Sequence, residues 1–279
     1  MEIKEEQGFM ANKTVLIVGA NSRLGKHIVD LFIEANWIVF GTYSQKSKFP
    51  LSQVENFTPI SMNLEKSKSI NKGIKTTLKR SKSKLDLLIN TSGVVYSGPI
   101  EAFSEEELRK QMEINFFAAV AIIQNVIPPM KKSGNGTIVN VSSLCGLTSF
   151  PLLSMYHASK WALEGFTESI YYELSSLGIK VKLIEPGGIV SDGEYAKVIK
   201  PKNTVEGYEK LTDKVHGTSW FPSFTEAKDV AYEIFKIATE ETDQLRHQIG
   251  TETVAFIEER ERYRKDETHL KMVKNRLNI

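Results

Sequence analysis

Tyr156 and Lys160 stand four residues apart in the run Tyr156-His157-Ala158-Ser159-Lys160. On a helix, positions i and i+4 stack on one face, so this spacing brings an ammonium beside a phenol. A free phenol ionises near pH ~10, and a fixed positive charge close by favours its ionised form. Such a pair can donate a proton as an alkoxide forms and accept it back in the reverse reaction. The spacing also arises by chance in many helices, so its neighbours decide what it means. An apolar run from Thr137 ends in two hydroxyls, Ser142 and Ser143, fourteen and thirteen residues before Tyr156. Strand alternation points the two to opposite sides; the spacing favours Ser143 to hold a substrate oxygen in line with the phenol, while either could instead cap the strand end. Asn115 is a polar residue in a helical stretch with Phe116 and Phe117 beside it, and it needs a buried partner. His157 belongs to a different helix face from Tyr156 and reads as packing, and Cys145 reads as a small buried filler.

The elements that must position these groups alternate between strand-length apolar runs and stretches of helical period, the pattern of parallel strands joined by crossover helices. Thr14 to Val18 predicts a first strand, and Ile28, Val29, Phe32 and Ile33 mark the helix that follows, running to about Ala35. Between them lies the turn Gly19-Ala20-Asn21-Ser22-Arg23-Leu24-Gly25. A glycine-bearing strand–helix turn places backbone N–H groups and the helix dipole where a pyrophosphate can bind. Further strands are predicted at Trp37 to Thr42, Phe57 to Ile60, Asp86 to Ile89, Thr137 to Val141, Lys180 to Ile184 and His247 to Ile249, with a helix near Ala227 to Thr239. The second strand ends at Gly41-Thr42-Tyr43-Ser44, without the acid that would bind a ribose 2′-OH. Arg23, Lys46 and Lys48 offer positive charge to a 2′-phosphate instead, so NADP(H) is expected ahead of NAD(H).

These motifs, in this order over roughly residues 12 to 192, resemble the short-chain dehydrogenase/reductase family. The resemblance implies a Rossmann-type, doubly wound, mostly parallel sheet of about seven strands with helices on both faces. It assigns catalysis to Ser143, Tyr156 and Lys160, with Asn115 holding a water that links Lys160 to solvent. The cofactor is implied to meet Gly19, Asn21, Ser22, Arg23, Leu24 and Gly25 in the turn, and Tyr43 and Ser44 beyond the second strand. Val18 and Arg23 depart from the family's Thr-Gly-x-x-x-Gly-x-Gly, standing for its Thr and its middle Gly. Asn63, followed by Leu64, replaces the Asp usual near the adenine. Asn90-Thr91-Ser92-Gly93 is similar to the family's Asn-Asn-Ala-Gly, which carries cofactor contacts to Asn90, Ser92 and Gly93. Pro186-Gly187-Gly188-Ile189-Val190-Ser191 is similar to its Pro-Gly-x-Val-x-Thr, which places Pro186, Gly187, Ile189 and Ser191 at the nicotinamide end, beside Tyr156 and Lys160. The implied activity is hydride transfer between a nicotinamide cofactor and a carbonyl or secondary alcohol, with Tyr156 as general acid and base. Two other readings are a non-catalytic NADP(H)-binding sensor or scaffold and a sugar-nucleotide epimerase. The second usually needs a longer C-terminal substrate domain.

The 279 residues, 41% hydrophobic and 25% charged, fit one α/β domain over 1–279. A segment near 189–225, rich in Gly, Lys and Pro, breaks the alternation. With Tyr195, Tyr208, His216, Trp220 and Phe221 it reads as an insertion over a substrate pocket. A helical tail is expected near 251–279, where Glu258 with Arg262, Glu261 with Lys265 and Glu267 with Lys271 have i,i+4 spacing. The single cysteine rules out an intrachain disulfide and any multi-cysteine metal cluster, and no metal site is expected. A net charge of +2 does not mark a nucleic-acid binder, and the basic run Lys79, Arg80, Lys82 and Lys84 reads as a solvated helix end. The apolar stretch from Phe116 to Ile123 is short of the roughly 20 residues a membrane span needs, and the acidic start Met1 to Gln7 does not resemble a signal peptide. Cytoplasmic residence, a small-molecule partner and, by resemblance, a homodimer or homotetramer are expected.

Overall fold

The five residues Thr14–Val18 form strand β1, and all are buried. Val15 and Ile17 pack on one side of the sheet and Leu16 and Val18 on the other. A strand covered on both faces needs a continuous apolar run, and that is why β1 lacks a polar alternation. A computed structural model of the chain describes residues 13–44, 54–191, 194–195, 198–217, 224–262 and parts of 270–278.

β1 pairs in parallel with β2 (Ile38–Tyr43) on one side and β4 (Leu87–Asn90) on the other. β3 (Phe57–Ser61) extends the sheet past β2. β6 (Gly136–Val141), β7 (Ile179–Pro186) and β12 (Arg246–Ile249) extend it past β4. The seven-stranded order is β12-β7-β6-β4-β1-β2-β3. Successive strands run outward from β1 in opposite directions, so the loops after β1 and β4 diverge and open a crevice at the strands' carboxyl ends. The expected Rossmann-type sheet of seven parallel strands is therefore present, with each predicted strand displaced by only a residue or two at its ends.

Helices cover both faces. Helix α1 (Arg23–Glu34) buries Ile28, Val29 and Phe32 in the same core as Val230 and Ile234 of α7 (Ala227–Thr239). The opposite core takes Ile70 and Ile74 of α2 (Ser67–Arg80), Ile122 and Val126 of α4 (Ala118–Ser133), and Ile170 and Leu174 of α5 (Ser154–Ser175). α4 continues α3 (Glu105–Met112) through a π-helical turn, Glu113–Phe117. The whole run Glu105–Ser133 is, among the described residues, a helix long and apolar enough by length and composition to cross a membrane. Its buried side chains, Ala118, Ile122, Ile123, Val126 and Met130, belong to the core against the sheet. The apolar stretch alone did not show that length, because the turn joins it to a polar helix with a capping box at Ser104 and Glu107.

The segment expected to be irregular carries structure. β8 (Ile189–Ser191) pairs with β9 (Glu194–Tyr195) and β11 (Thr225–Glu226), while β10 (Val198–Ile199) pairs in parallel with β5 (Val95–Tyr96). Helix α6 (Glu209–Gly217) follows. The C-terminal helix α8 (Thr251–Arg262) buries Phe256 against Leu144 and Phe150. Lys46, Lys48, Trp220, Phe221, Lys265 and Glu267 lie outside the described residues, as do the side chains of Ser191, Tyr195 and His216.

Candidate active site

The turn after β1 is built around two glycines. Gly19 has φ +91°, a conformation open to glycine, and its N–H donates to Thr42 Oγ1 at 3.0 Å. A Cβ on Gly25 would stand 2.1 Å from the Gly19 carbonyl oxygen, so the first turn of α1 lies directly on the end of β1. Ser22 caps that helix by accepting from Gly25 N–H at 2.9 Å. Arg23 occupies the first helical position, is exposed, and lines the cavity described below. Val18, where the resemblance led to Thr, is a buried core residue, and hydroxyls come from Thr42 and from Thr91, whose Oγ1 donates to Val18 O at 2.8 Å.

A cavity of about 990 Å³ opens between this turn and the loops after β4 and β7. Asn21, Ser22, Arg23 and Leu24 line one wall, Thr91, Gly93, Val94 and Val95 a second, and Ile189, Val198, Ile199, Lys200 and Ala227 a third. Ligand pockets fall in the range of about 300–1,000 Å³, so this one has room for an extended molecule. Its helix N-terminus, glycine approach and basic rim fit the pyrophosphate of a dinucleotide. Tyr43 and Ser44 stand at the carboxyl end of β2. The Asn63 side-chain oxygen accepts from Glu65 N–H at 2.9 Å, bending the chain toward α2, and Leu64 packs against the core. Ser92 lies against Gly19, where a Cβ would come within 2.6 Å of its Oγ. Asn90 turns inward instead: its amide donates to Asn140 Oδ1 at 2.7 Å inside the sheet, so only its backbone borders the crevice. Pro186 closes β7, and Gly187 packs against Thr253 and Glu252, with its N–H donating to Ile249 O at 3.3 Å.

Asn115 and Lys160 stand directly behind Gly93 of the cavity wall, with Tyr156 on the Lys160 helix face and Ser143 near it. Ser143 follows the end of β6, its Oγ accepting from Cys145 N–H at 3.1 Å, and its hydroxyl is near enough to the Tyr156 phenol to favour the ionised form. Ser142 points to the other side, buried beside Gly146, as strand alternation requires. Lys160 lies along the same helix face as Tyr156, its Nζ 6.0 Å from the ring centre and donating to Val141 O at 3.0 Å. Asn115 sits in the π-helical turn. Its Oδ1 accepts from Val94 N–H at 2.8 Å, and its Nδ2 donates to Val94 O and Ser159 Oγ, each at 3.0 Å. Those bonds tie α5 to the loop after β4, and a Cβ on Gly93 would fall 3.6 Å from Asn115 Oδ1 and 3.8 Å from Lys160 Nζ. His157 is a structural pin: its Nδ1–H donates to Cys145 O at 2.9 Å and its Nε2 accepts from Phe150 N–H at 2.8 Å. That arrangement needs a neutral ring, and burial lowers its pKa accordingly.

The electrostatics differ from the simple expectation of a lowered phenol. Burial, with Cys145 beside it, pushes Tyr156 well above its ordinary value against the opposing Ser143 bond. Burial likewise brings Lys160 down to about 8, with the negative charge of Glu164 working in the opposite direction. The Cys145 thiol is pushed up to about 12 by burial. At neutral pH Tyr156 is a protonated phenol, and the cation next to it favours the phenolate left when it gives its proton away. Sequence reading missed Thr42, Thr91 and the Val198–Lys200 strand; only the three-dimensional pairing brings them to the crevice.

The short chain dehydrogenase profile matches residues 13–200. The chain belongs to that family. Its short-chain dehydrogenase relatives include an uncharacterized oxidoreductase of Schizosaccharomyces pombe, 31% identical over 215 residues, which are 74% of this chain and 87% of the relative. Among solved structures, a short-chain dehydrogenase from Streptomyces avermitilis superposes with a TM-score of 0.80 at 26% identity, over 95% of this chain and 98% of that one. A Burkholderia cenocepacia short chain dehydrogenase in complex with NADP shares the fold, with a TM-score of 0.73 at 19% identity over 96% of this chain and 98% of that one. As a short-chain dehydrogenase, the protein is an NAD(P)-dependent oxidoreductase. Among the described residues there is no group of three or more His, Cys, Asp or Glu able to hold a metal ion.

Proposed function

We propose that this short-chain dehydrogenase transfers a hydride between NADP(H) and the carbonyl or secondary alcohol of a small molecule, with Tyr156 as general acid and base. The observation that carries this reading is Lys160 Nζ 6.0 Å from the Tyr156 ring and directly behind Gly93 of the cavity wall, with the Ser143 hydroxyl beside the phenol. The cofactor supplies or takes up the hydride. The chain's own residues do the rest: Ser143 holds the substrate oxygen, Tyr156 delivers a proton to it during reduction, and Lys160 stabilises the phenolate left behind. Asn115 keeps the Val94 loop and α5 in register around the amine. The cofactor residues named from the sequence are proposed to bind along the crevice, with Tyr43, Ser44, Asn63 and Leu64 at the adenosine end, the Gly19–Gly25 turn at the pyrophosphate, and Pro186, Gly187, Ile189 and Ser191 at the nicotinamide end. Backbone alone serves at Asn90.

NADP(H) over NAD(H) is supported by Arg23 at the cavity wall and by the absence of an acid at the end of β2. A fluorescence titration is expected to show NADPH binding at least tenfold more tightly than NADH, with Arg23→Ser reducing that preference; tighter NADH binding would overturn it. A protein that binds NADPH but turns over no carbonyl in a broad panel would favour the sensor or scaffold reading. Cytoplasmic residence, a homodimer or homotetramer, and independence of membranes and nucleic acids complete the proposal, and size-exclusion chromatography with light scattering tests the assembly.

A further inference from the structure

Behind Lys160, away from the crevice, lies a buried cluster of charge that hydride transfer does not itself require. Glu164 follows Lys160 by one helical turn and is 5% exposed. One of its oxygens meets the Arg246 guanidinium, which also donates to Glu185 Oε1 at 2.8 Å and to Glu168 Oε2 at 2.6 Å. Glu185, on β7 next to the edge strand β12, is fully buried. Glu164 Oε1 and Glu185 Oε2 are buried without a hydrogen-bond partner. Ser142 Oγ is in the same state, and a Cβ on Gly146 would stand 2.7 Å from it and 2.8 Å from Glu164 Oε1. Ser142 directly follows Val141, whose carbonyl accepts from Lys160 Nζ. The polar pocket around Gly146 therefore adjoins the one around the amine.

A cation removed from water loses its charge unless a counter-charge stands near, and a buried carboxylate persists only if paired. The charged or titratable groups around Lys160 are Tyr156 and Glu164 on its own helix and Cys145 on the loop after β6. Tyr156 and Cys145 are both held protonated, which leaves Glu164 as the one carboxylate acting on the amine among these groups. Facing Glu164 in turn are Lys160 and Glu168 on α5, Glu185 on β7 and Arg246 on β12, with the neutral Ser142 and Gly146 on the loop. Burial, then the charge of Glu164, raise the Glu185 carboxyl above its ordinary value, so Glu185 is the member of the pair that favours a proton.

We propose that Glu164, clamped by Arg246 and Glu185, is a positioning residue that keeps Lys160 cationic inside the fold and so sets the pH at which Tyr156 works. This rests on the hydride-transfer reading only for its last step. The coupling of Glu164 to Lys160 stands apart from it.

The test is a titration without cofactor. In 13C-lysine-labelled protein, the Lys160 Cε resonance is assigned by its loss in Lys160→Met and followed across neutral and alkaline pH. Wild type is expected to titrate near pH 8. Glu164→Gln should titrate about one unit lower, a tenfold change in the ratio of charged to neutral amine. Glu185→Gln, whose carboxyl does not act on the amine, should leave the midpoint within a few tenths of a unit. A Glu164→Gln midpoint equal to wild type overturns the proposal, because a merely structural carboxylate would lower stability without moving it. Should that variant fail to fold, wild type decides alone: a Lys160 already neutral at pH 7 would mean that no carboxylate sustains its charge. In the enzyme assay the pH at half-maximal kcat should move with the lysine midpoint. Absence of turnover in every variant, with the midpoint still shifted, would count against hydride transfer and leave the coupling standing.

Discussion

A phenol in a dry site gives up a proton only if the charge it leaves behind is met, and Tyr156 has one fixed cation on its own helix face. Ser143 completes the arrangement from the end of a different element, accepting from Cys145 N–H with its hydroxyl near the phenol. Removing the phenolic oxygen deletes the proton donor and leaves the ring in place. Tyr156→Phe is therefore expected to lower kcat by roughly 10²–10⁴-fold. Its affinity for NADPH, measured by fluorescence, should change little, and full activity in this variant would refute the assigned role.

Elements matter here through their ends. The π-helical turn at Glu113–Phe117 aims Asn115 at the Val94 backbone and at Ser159, and His157 fastens the Cys145 and Phe150 backbone to α5. On the other side of the sheet, the fully buried Lys182 of β7 donates to the carbonyls of Ile237 at 2.6 Å and Glu240 at 2.7 Å. A cation at that place satisfies orphan carbonyls at the end of α7 and complements its dipole. Lys182→Met keeps much of the side chain's bulk but strips both bonds, and it should cost about 1–3 kcal/mol in denaturant unfolding. Because Lys182 lies away from the crevice, kcat of the folded variant is expected to stay at the wild-type level.

At the scale of the molecule, Arg246 is where the edge strand β12, its neighbour β7 and helix α5 are joined by charge. Glu185 in that junction ionises at about 7, above the ordinary carboxyl value of 4.5. Between those two pH values the folded chain keeps a proton that the unfolded chain has released. The stabilisation from this group is thus complete below pH 4.5 and is lost as pH rises through 7. Wild type should accordingly lose more Tm than Glu185→Gln on going from about pH 5 to about pH 8, by differential scanning fluorimetry. Equal losses would show that Glu185 does not hold its proton in the fold.

Periodicity and turn chemistry were enough to read the sheet, because a strand covered by helices on both faces must be mostly apolar along its length, as Thr14–Val18 is and as Gly136–Val141 is apart from Thr137 and the hydrogen-bonded Asn140. The same local logic placed Tyr156 and Lys160 on one face, since helical spacing is a property of adjacent residues. Spacing also chose Ser143 over Ser142, but it could not show that Asn90 turns into the sheet toward Asn140. The chain's order likewise hid Val198–Lys200 beside the loop after β4, because the β5–β10 pairing joins residues about a hundred positions apart. The charge cluster has the same origin: Glu164, Glu185 and Arg246 come from three separated elements, and only the tertiary structure removes the water between them. What sequence determined by itself was the backbone pattern and the neighbouring pair of catalytic type. What folding decided was the desolvation around that pair, since burial depends on every element packed over it, and burial is what moves Tyr156 and Lys160 away from their ordinary ionisation.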